Sequence, residues 1–293
     1  MRHIARRLAP AAAGLTLVAA VAASASAQAQ VQAQAQSAAQ RQPQAQAQPP
    51  GKPGAKGRPA TPGAAPKKGP SETRFTLVLN GLFAPGGPSY DHVRTPIAYA
   101  EPSTITSRYE TGSGFGGGVA IQAKLYRGLG ALVGYSLVSR DATGTIDVSR
   151  PHPLYLNRPR TASAELTGYG YTEGAADIDA AYAGASGKLD FTVFAGVTLF
   201  QVEADLASVP TFDERYPYDT LAISATPAAS ADATAVGFNL GGRLDYRFSR
   251  AFGAGIQLRY ATASVELPGG ADGTSVTIDA GGFSVGAGVR FYF

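Results

Sequence analysis

Few residues of this chain could do chemistry. Cysteine is absent, which excludes thiolate catalysis, thiolate metal sites and disulfides. The histidines are His3, His92 and His152. Ser89, Asp91 and His92 offer a hydroxyl, a carboxylate and an imidazole close together, the types from which a nucleophile and its base are built. Proximity in sequence is weak support, because a base needs a geometrically placed nucleophile and an orienting group. No metal-ligand cluster, phosphate loop or nucleotide fingerprint accompanies them; Gly114-Phe115-Gly116-Gly117-Gly118 is a small-residue strand and not a strand-to-helix phosphate turn. The expectation is a non-enzyme with no catalytic residues, no metal and no cofactor.

A second set of ionisable residues is better organised. Lys124, Asp177, Asp179, Asp190, Arg243, Asp245, Arg247, Arg259 and Arg290 lie in segments that alternate with a period of two. In a strand, residues two apart share a face, so Asp177 joins Asp179, and Arg243 joins Asp245 and Arg247. A face carrying both signs can build an ion-pair network or line an ion path.

The elements that would hold these residues are eight strand cores: Phe75–Phe83, Phe115–Leu125, Leu129–Leu137, Ala176–Gly184, Leu189–Leu199, Val236–Phe248, Phe252–Tyr260 and Gly281–Phe293. One phase of every core is apolar and carries no charge, while all nine charged residues fall on the other phase. That second phase is crowded with glycine (Gly116, Gly118, Gly241, Gly255 and Gly288 among others), which leaves room for long side chains in a narrow interior. Short links, Tyr126–Gly128, Ala185–Lys188 and Ser249–Ala251, alternate with long loops at 84–112, 139–173, 201–233 and 262–279. QVEADL after the fifth core and ASVEL after the seventh predict that strand continues into parts of these loops.

The last run, VTIDAGGFSVGAGVRFYF, ends on Phe293 with Phe291 two residues before it. It resembles the C-terminal assembly signal of bacterial outer-membrane β-barrels. With the alternating link lengths, residues 71–293 are similar to the eight-stranded OmpA, OmpX and opacity-type proteins. The resemblance implies an all-β fold: an eight-stranded antiparallel up-and-down transmembrane β-barrel preceded by a disordered segment. Short turns would face the periplasm and long loops the outside. A soluble barrel of the lipocalin type also alternates, but it would put a Lys- and Glu-rich phase outward. Here aromatics mark the ends of the apolar phase instead: Phe75, Phe191, Phe248, Phe252, Phe291 and Phe293 at one rim, Phe83, Tyr135 and Tyr260 at the other. The implied partners are outer-membrane lipid and lipopolysaccharide, and the barrel-assembly machinery through the C-terminal strand. No motif of a family active site carries over.

Ahead of the barrel, Arg2, Arg6 and Arg7 precede an apolar run and an Ala25-Ser26-Ala27 site, the layout of a cleaved signal peptide over residues 1–27. Residues 28–70 are Gln, Ala, Pro and Gly with Arg41, Lys52, Lys56, Arg58, Lys67 and Lys68, and read as a disordered periplasmic linker able to contact the cell wall. The net charge of +4 and pI of about 9.2 stem from these segments and imply no nucleic acid. Localisation in the cell outer membrane follows.

Counting from the short turns places Asp177 and Arg259 at one height, so they are expected to pair across the lumen, with Arg243, Asp245 and Arg247 as a lower cluster. Outside, the loops hold Tyr90, Tyr99, Tyr109, Tyr155, Tyr169, Tyr171, Tyr216 and Tyr218. Tyrosine suits binding loops, and Tyr155, Arg158, Arg160, Tyr216 and Tyr218 are the candidate binding residues; loops packing on one another as a lid would use the same residues. The functional reading is a scaffold presenting loops for envelope integrity or adhesion. A narrow pore through the lumen is the alternative, and a loop-borne lipid-modifying enzyme, as some outer-membrane barrels are, a more distant one.

Overall fold

The computed structural model describes residues 74–269 and 274–293. The expected signal peptide and linker lie outside the described residues. In chain order the strands are β1 (Phe75–Ala84), β2 (Ser89–Arg94), β3 (Ile97–Ala98), β4 (Glu101–Pro102), β5 (Thr104–Tyr126), β6 (Leu129–Pro151), β7 (Pro159–Ser186), β8 (Leu189–Ala207), β9 (Thr211–Asp213), β10 (Ala222–Ala225), β11 (Ala228–Arg247), β12 (Phe252–Pro268) and β13 (Ser275–Tyr292). Eight of them close a ring in the order β1, β5, β6, β7, β8, β11, β12, β13, with β1 paired antiparallel to both β5 and β13.

One end of the ring carries the short turns. At the first, Arg127 (φ 45°) and Gly128 (φ 89°) both take positive φ, the backbone of a two-residue hairpin whose twist matches its strands. The other end carries the longer connections, including the hairpins β3–β4 and β9–β10.

Toward the turn end, the outward positions are apolar and bare. Phe115, Ile178, Phe238, Leu240, Ile256, Leu258 and Phe283 are all exposed, each by more than half. A belt this large cannot face water in a soluble monomer, where apolar patches rarely exceed a few hundred Å². The run Leu189–Leu199 has the length, roughly 9–11 residues, at which a tilted strand crosses hydrocarbon. At the crown-side rim Tyr135 departs from its expected exposure: it is buried against Gly174, where a Cβ would lie 2.8 Å from the Tyr135 hydroxyl.

Beyond the belt the strands do not stop. β6 runs to Pro151, β7 begins at Pro159, β8 reaches Ala207, β11 begins at Ala228 and β12 reaches Pro268. The segments expected as loops are therefore in large part barrel wall, least so 201–233, where most of the connection lies between Ala207 and Ala228. Along β12 the pleat continues unbroken while its chemistry inverts. Ile256, Leu258 and Tyr260 face out below, Thr262, Ser264 and Glu266 face out above, and Ala261, Ala263, Val265 and Leu267 turn inward. The same inversion brings Glu203 and Asp205 outward on β8 and Val202, Ala204 and Leu206 inward. A barrel with an apolar exterior thus continues into one with a polar exterior and a dry core, without changing sheet.

That upper wall is not laddered throughout: β7 pairs with β8 only from Tyr171 onward. β2 pairs with β5 and, among the described residues, shows no ladder to β13. His92 Nε2 lies 3.2 Å from Thr274 Oγ1 across the gap.

Candidate functional site

In the lower lumen Asp245 joins two arginines. Arg243 Nε donates to its Oδ2 and Arg290 Nε to its Oδ1, each at 2.7 Å. Register explains the room for this. Asp245 sits opposite Gly255, Gly255 opposite Gly288, and Gly288 opposite Asn80. Arg290 lies beside that row of glycines, fully buried, and its Nη1 also donates to Asn80 Oδ1 at 2.7 Å. A Cβ at Gly255 would collide with Oδ1 of Asp245. Gln122 accepts from Arg243 Nη2, and Asn80 Nδ2 donates to Gln257 Oε1 at 2.9 Å.

Arg247 is not part of this cluster, contrary to the expectation from sequence. Its Nε donates to Asp190 at 3.1 Å, and its guanidinium lies over the Tyr292 ring at 4.2 Å. Near the lumen mouth a short reach to Asp190 on the adjacent β8 wins over Asp245, which is already bound by two arginines. Lys124 joins none of these pairs among the described residues.

Higher in the lumen, Arg259 on β12 pairs with Asp177 on β7 and also donates to Ser136 Oγ at 3.1 Å. Thr198 Oγ1 donates to Asp177 at 2.7 Å, and Asn239 Nδ2 donates to Asp179 at 2.7 Å and to Thr198 Oγ1 at 2.9 Å. Against these groups lies a cavity of about 40 Å³, lined by Asn80, Ser136, Asp177, Asp179, Gln257 and Arg259 among others. It has room for one to three waters, a water needing roughly 10–15 Å³.

Where the wall chemistry inverts, the neighbouring strands β6 and β7 hold a buried pair that the sequence did not single out. Arg140 Nη1 donates to Glu173 Oε2 at 2.5 Å, and Glu173 Oε1 accepts from the Tyr171 hydroxyl (2.8 Å) and the Gly281 amide (2.9 Å). Gly281 reaches that carboxylate with φ 103°, which glycine adopts without strain. The only signal for this pair was its spacing on the inward phase of strands mistaken for loops.

Above it comes the dry core. Tyr90 stacks on Tyr109 at 4.8 Å, Tyr109 packs edge-on to Tyr169 at 5.9 Å, and Tyr171 lies 6.4 Å from Tyr90. Around them are Ile105, Ile146, Leu166, Val202, Leu206, Val265, Leu267 and Ile278. Burial raises the phenol pKa of Tyr90, Tyr109 and Tyr171, so these groups stay neutral. Four of the eight tyrosines expected on binding loops, Tyr90, Tyr109, Tyr169 and Tyr171, are therefore core residues.

At the crown Glu214 ties the connections together. It accepts from the Tyr99 hydroxyl at 2.6 Å and from Arg160 Nη2 at 2.5 Å, and Arg150 Nε lies 3.7 Å away. Partial burial pushes the Glu214 carboxyl up, but the hydrogen bonds from Tyr99 and Arg160 and the charge of Arg150 outweigh it, and the net shift is downward. Arg150 stacks between Tyr99 (5.1 Å) and Phe212 (4.6 Å). Arg160, a candidate binding residue, is buried and donates to Tyr218 O and Pro151 O as well as to Glu214, so it acts as a clamp within the lid. Arg158 lies over the exposed Tyr155 ring at 5.7 Å. Tyr216 is 81% exposed and packs edge-on to Tyr218.

The Ser89, Asp91 and His92 set does not converge. On β2, Ser89 and Asp91 face outward while His92 is buried on the inner face. His152 is buried too, its Nδ1 accepting from the Leu154 amide at 3.1 Å. Among the described residues no group of three or more His, Asp or Glu is arranged to hold a metal ion. Phe291 and Phe293 lie at the turn end, where Phe291 meets Phe252 at 5.3 Å and the Phe293 amide donates to Phe75 O at 3.0 Å.

No family model matches the chain, and no curated protein does. Among solved structures it is similar to Neisserial surface protein A (TM-score 0.40, 12% identity, 75% of this chain and 97% of that one). It is likewise similar to the outer membrane protein OprG from Pseudomonas aeruginosa (0.41, 11%, 75% and 96%) and to the outer membrane protease OmpT from Escherichia coli (0.40, 7%, 75% and 97%). The assignment of this chain as an eight-stranded antiparallel β-barrel stands on its own strand pairing, which closes the ring through β1.

Proposed function

We propose that the protein is a sealed outer-membrane scaffold that carries a rigid crown to the cell surface for envelope contacts or adhesion. One observation carries the reading: along one barrel lumen, the charge network and the tyrosine-rich dry core lie in series. Eight strands enclose a space that side chains fill, and here both halves are filled, by different chemistry. An ion crossing would have to break the Asp245, Asp177 and Glu173 pairs and then pass a hydrophobic plug. The apolar belt supports insertion, and the turn end, where β1 begins and β13 ends, faces the periplasm in this reading. What the barrel offers the outside is the crown, whose exposed Ile97, Leu154, Tyr155, Leu156 and Tyr216 lie on connections locked by Glu214.

The test is conductance of the refolded protein in planar bilayers, with heat-dependent gel mobility to prove folding. Silence from an inserted barrel is the expected result, and discrete reproducible steps would replace the scaffold by a pore. For the crown, Leu156→Ser with Tyr216→Ser is expected to reduce adherence of expressing cells to protein-coated surfaces at unchanged surface level. Unchanged adherence would remove the adhesive part of the reading.

A further inference from the structure

Every short turn at the periplasmic end ends the apolar belt with one basic residue. Arg127 stands in the turn after β5, Lys188 in the turn after β7, Arg250 in the turn after β11, and Arg74 immediately before β1. All four are exposed, and among the described residues none has an ion-pair partner. Among the described residues, Asp190, the acidic residue nearest this end, is occupied by Arg247. Backbone bonds tie two of them to the barrel rim: the Lys124 amide donates to Arg74 O, the Arg74 amide to Phe293 O, and the Arg247 amide to Lys188 O.

We propose that this collar binds anionic phospholipid headgroups of the periplasmic leaflet; the inference rests on the membrane reading above. Charge complementarity is one argument and depth is the other. Three of the four cations directly abut an aromatic girdle. Arg74 adjoins Phe75, Arg127 adjoins Tyr126 and lies over its ring at 5.0 Å, and Arg250 is two residues from both Phe248 and Phe252. Exposed aromatic rings sit at the membrane–water interface, so the guanidinium and ammonium groups lie in the plane of lipid phosphates. A cell-wall polymer would need cations projecting into the periplasm, beyond the headgroups. Cations held this close to a lipid surface attract anionic lipid, and the attraction fades within a screening length.

The experiment reconstitutes the refolded protein in phosphatidylcholine bilayers with trace spin-labelled phosphatidylglycerol or phosphatidylcholine, and reads the motionally restricted lipid fraction. Phosphatidylglycerol is expected to be enriched several-fold at the protein surface in low salt, and less so as salt rises. In Arg74→Gln/Arg127→Gln/Lys188→Gln/Arg250→Gln the two lipids should come to parity. Equal association in the unmodified protein, or full preference in the variant, would overturn the proposal. Should the fourfold variant not fold, Arg127→Gln and Arg250→Gln alone each lose part of the preference; no loss in either counts against it. A protein that fails to float with vesicles sinks the membrane reading as well, whereas an inserted barrel without lipid preference sinks only the collar.

Discussion

Arg259 and Asp177, 82 residues apart in the chain, meet inside the barrel, and the same guanidinium touches Ser136. Strands β6, β7 and β12 are thereby tied at one level. Removing one partner of a buried pair strands a charge, which costs about 3–5 kcal/mol. Arg259→Met is expected to destabilise by that order, while Arg259→Met with Asp177→Asn recovers most of the loss. Denaturant unfolding of the single and double variants in lipid vesicles, read as a double-mutant cycle, checks this.

Gly255 is expected to tolerate no side chain. Gly255→Ala displaces the carboxylate that Arg243 and Arg290 share, at a cost of about 1–3 kcal/mol. Gly242→Ala, on the outward face with only a carbonyl oxygen 3.9 Å away, should change stability by less than about 0.5 kcal/mol. The same unfolding assay compares the two.

The crown should loosen in acid. The Glu214 pKa is lowered in the folded protein from an ordinary value near 4.5. Its contribution is therefore present above that value and lost as pH falls through the lower folded one. Proteolysis within residues 208–227 should speed up as pH falls below about 4.5, using an acid-active protease. Glu214→Gln should be cleaved faster than the unmodified protein by a neutral-pH protease at pH 7, and should lose the acid dependence.

Two plugs in series predict that breaking one is not enough. Arg259→Ala alone should leave bilayers silent because the dry core remains. Tyr171→Ala together with Arg140→Ala thins both the core and the pair beneath it, and combined with Arg259→Ala it should give measurable leak. Leak from Arg259→Ala alone would show that the core does not seal.

The belt, the short turns and the inward charges were legible because a membrane exterior forbids charge on one phase of every crossing strand. Asp177 and Arg259 could be set at one height by counting from the turns, since strand rise is constant. Arg247 could not be assigned, because a partner on the neighbouring strand competes with one on its own strand and sequence does not rank them. The upper barrel was legible only in part. QVEADL and ASVEL pointed to strand beyond the belt, but above Tyr260 the pleat persists with its polarity reversed, so a search for outward apolar residues did not reveal how far the wall extends. Arg140 and Glu173 were hidden with it, and four core tyrosines were placed on outer loops.

In the membrane reading, one continuous strand passes from lipid into water where its outward chemistry inverts. The absence of cysteine makes single-cysteine spin labelling along β12 direct, at Ala254, Ile256, Leu258, Thr262, Ser264 and Glu266 in vesicles. Labels at Ile256 and Leu258 should be open to oxygen and shielded from a water-soluble nickel reagent, and labels at Ser264 and Glu266 should show the reverse. A uniform profile along the strand, or a switch well away from Tyr260, would contradict the account.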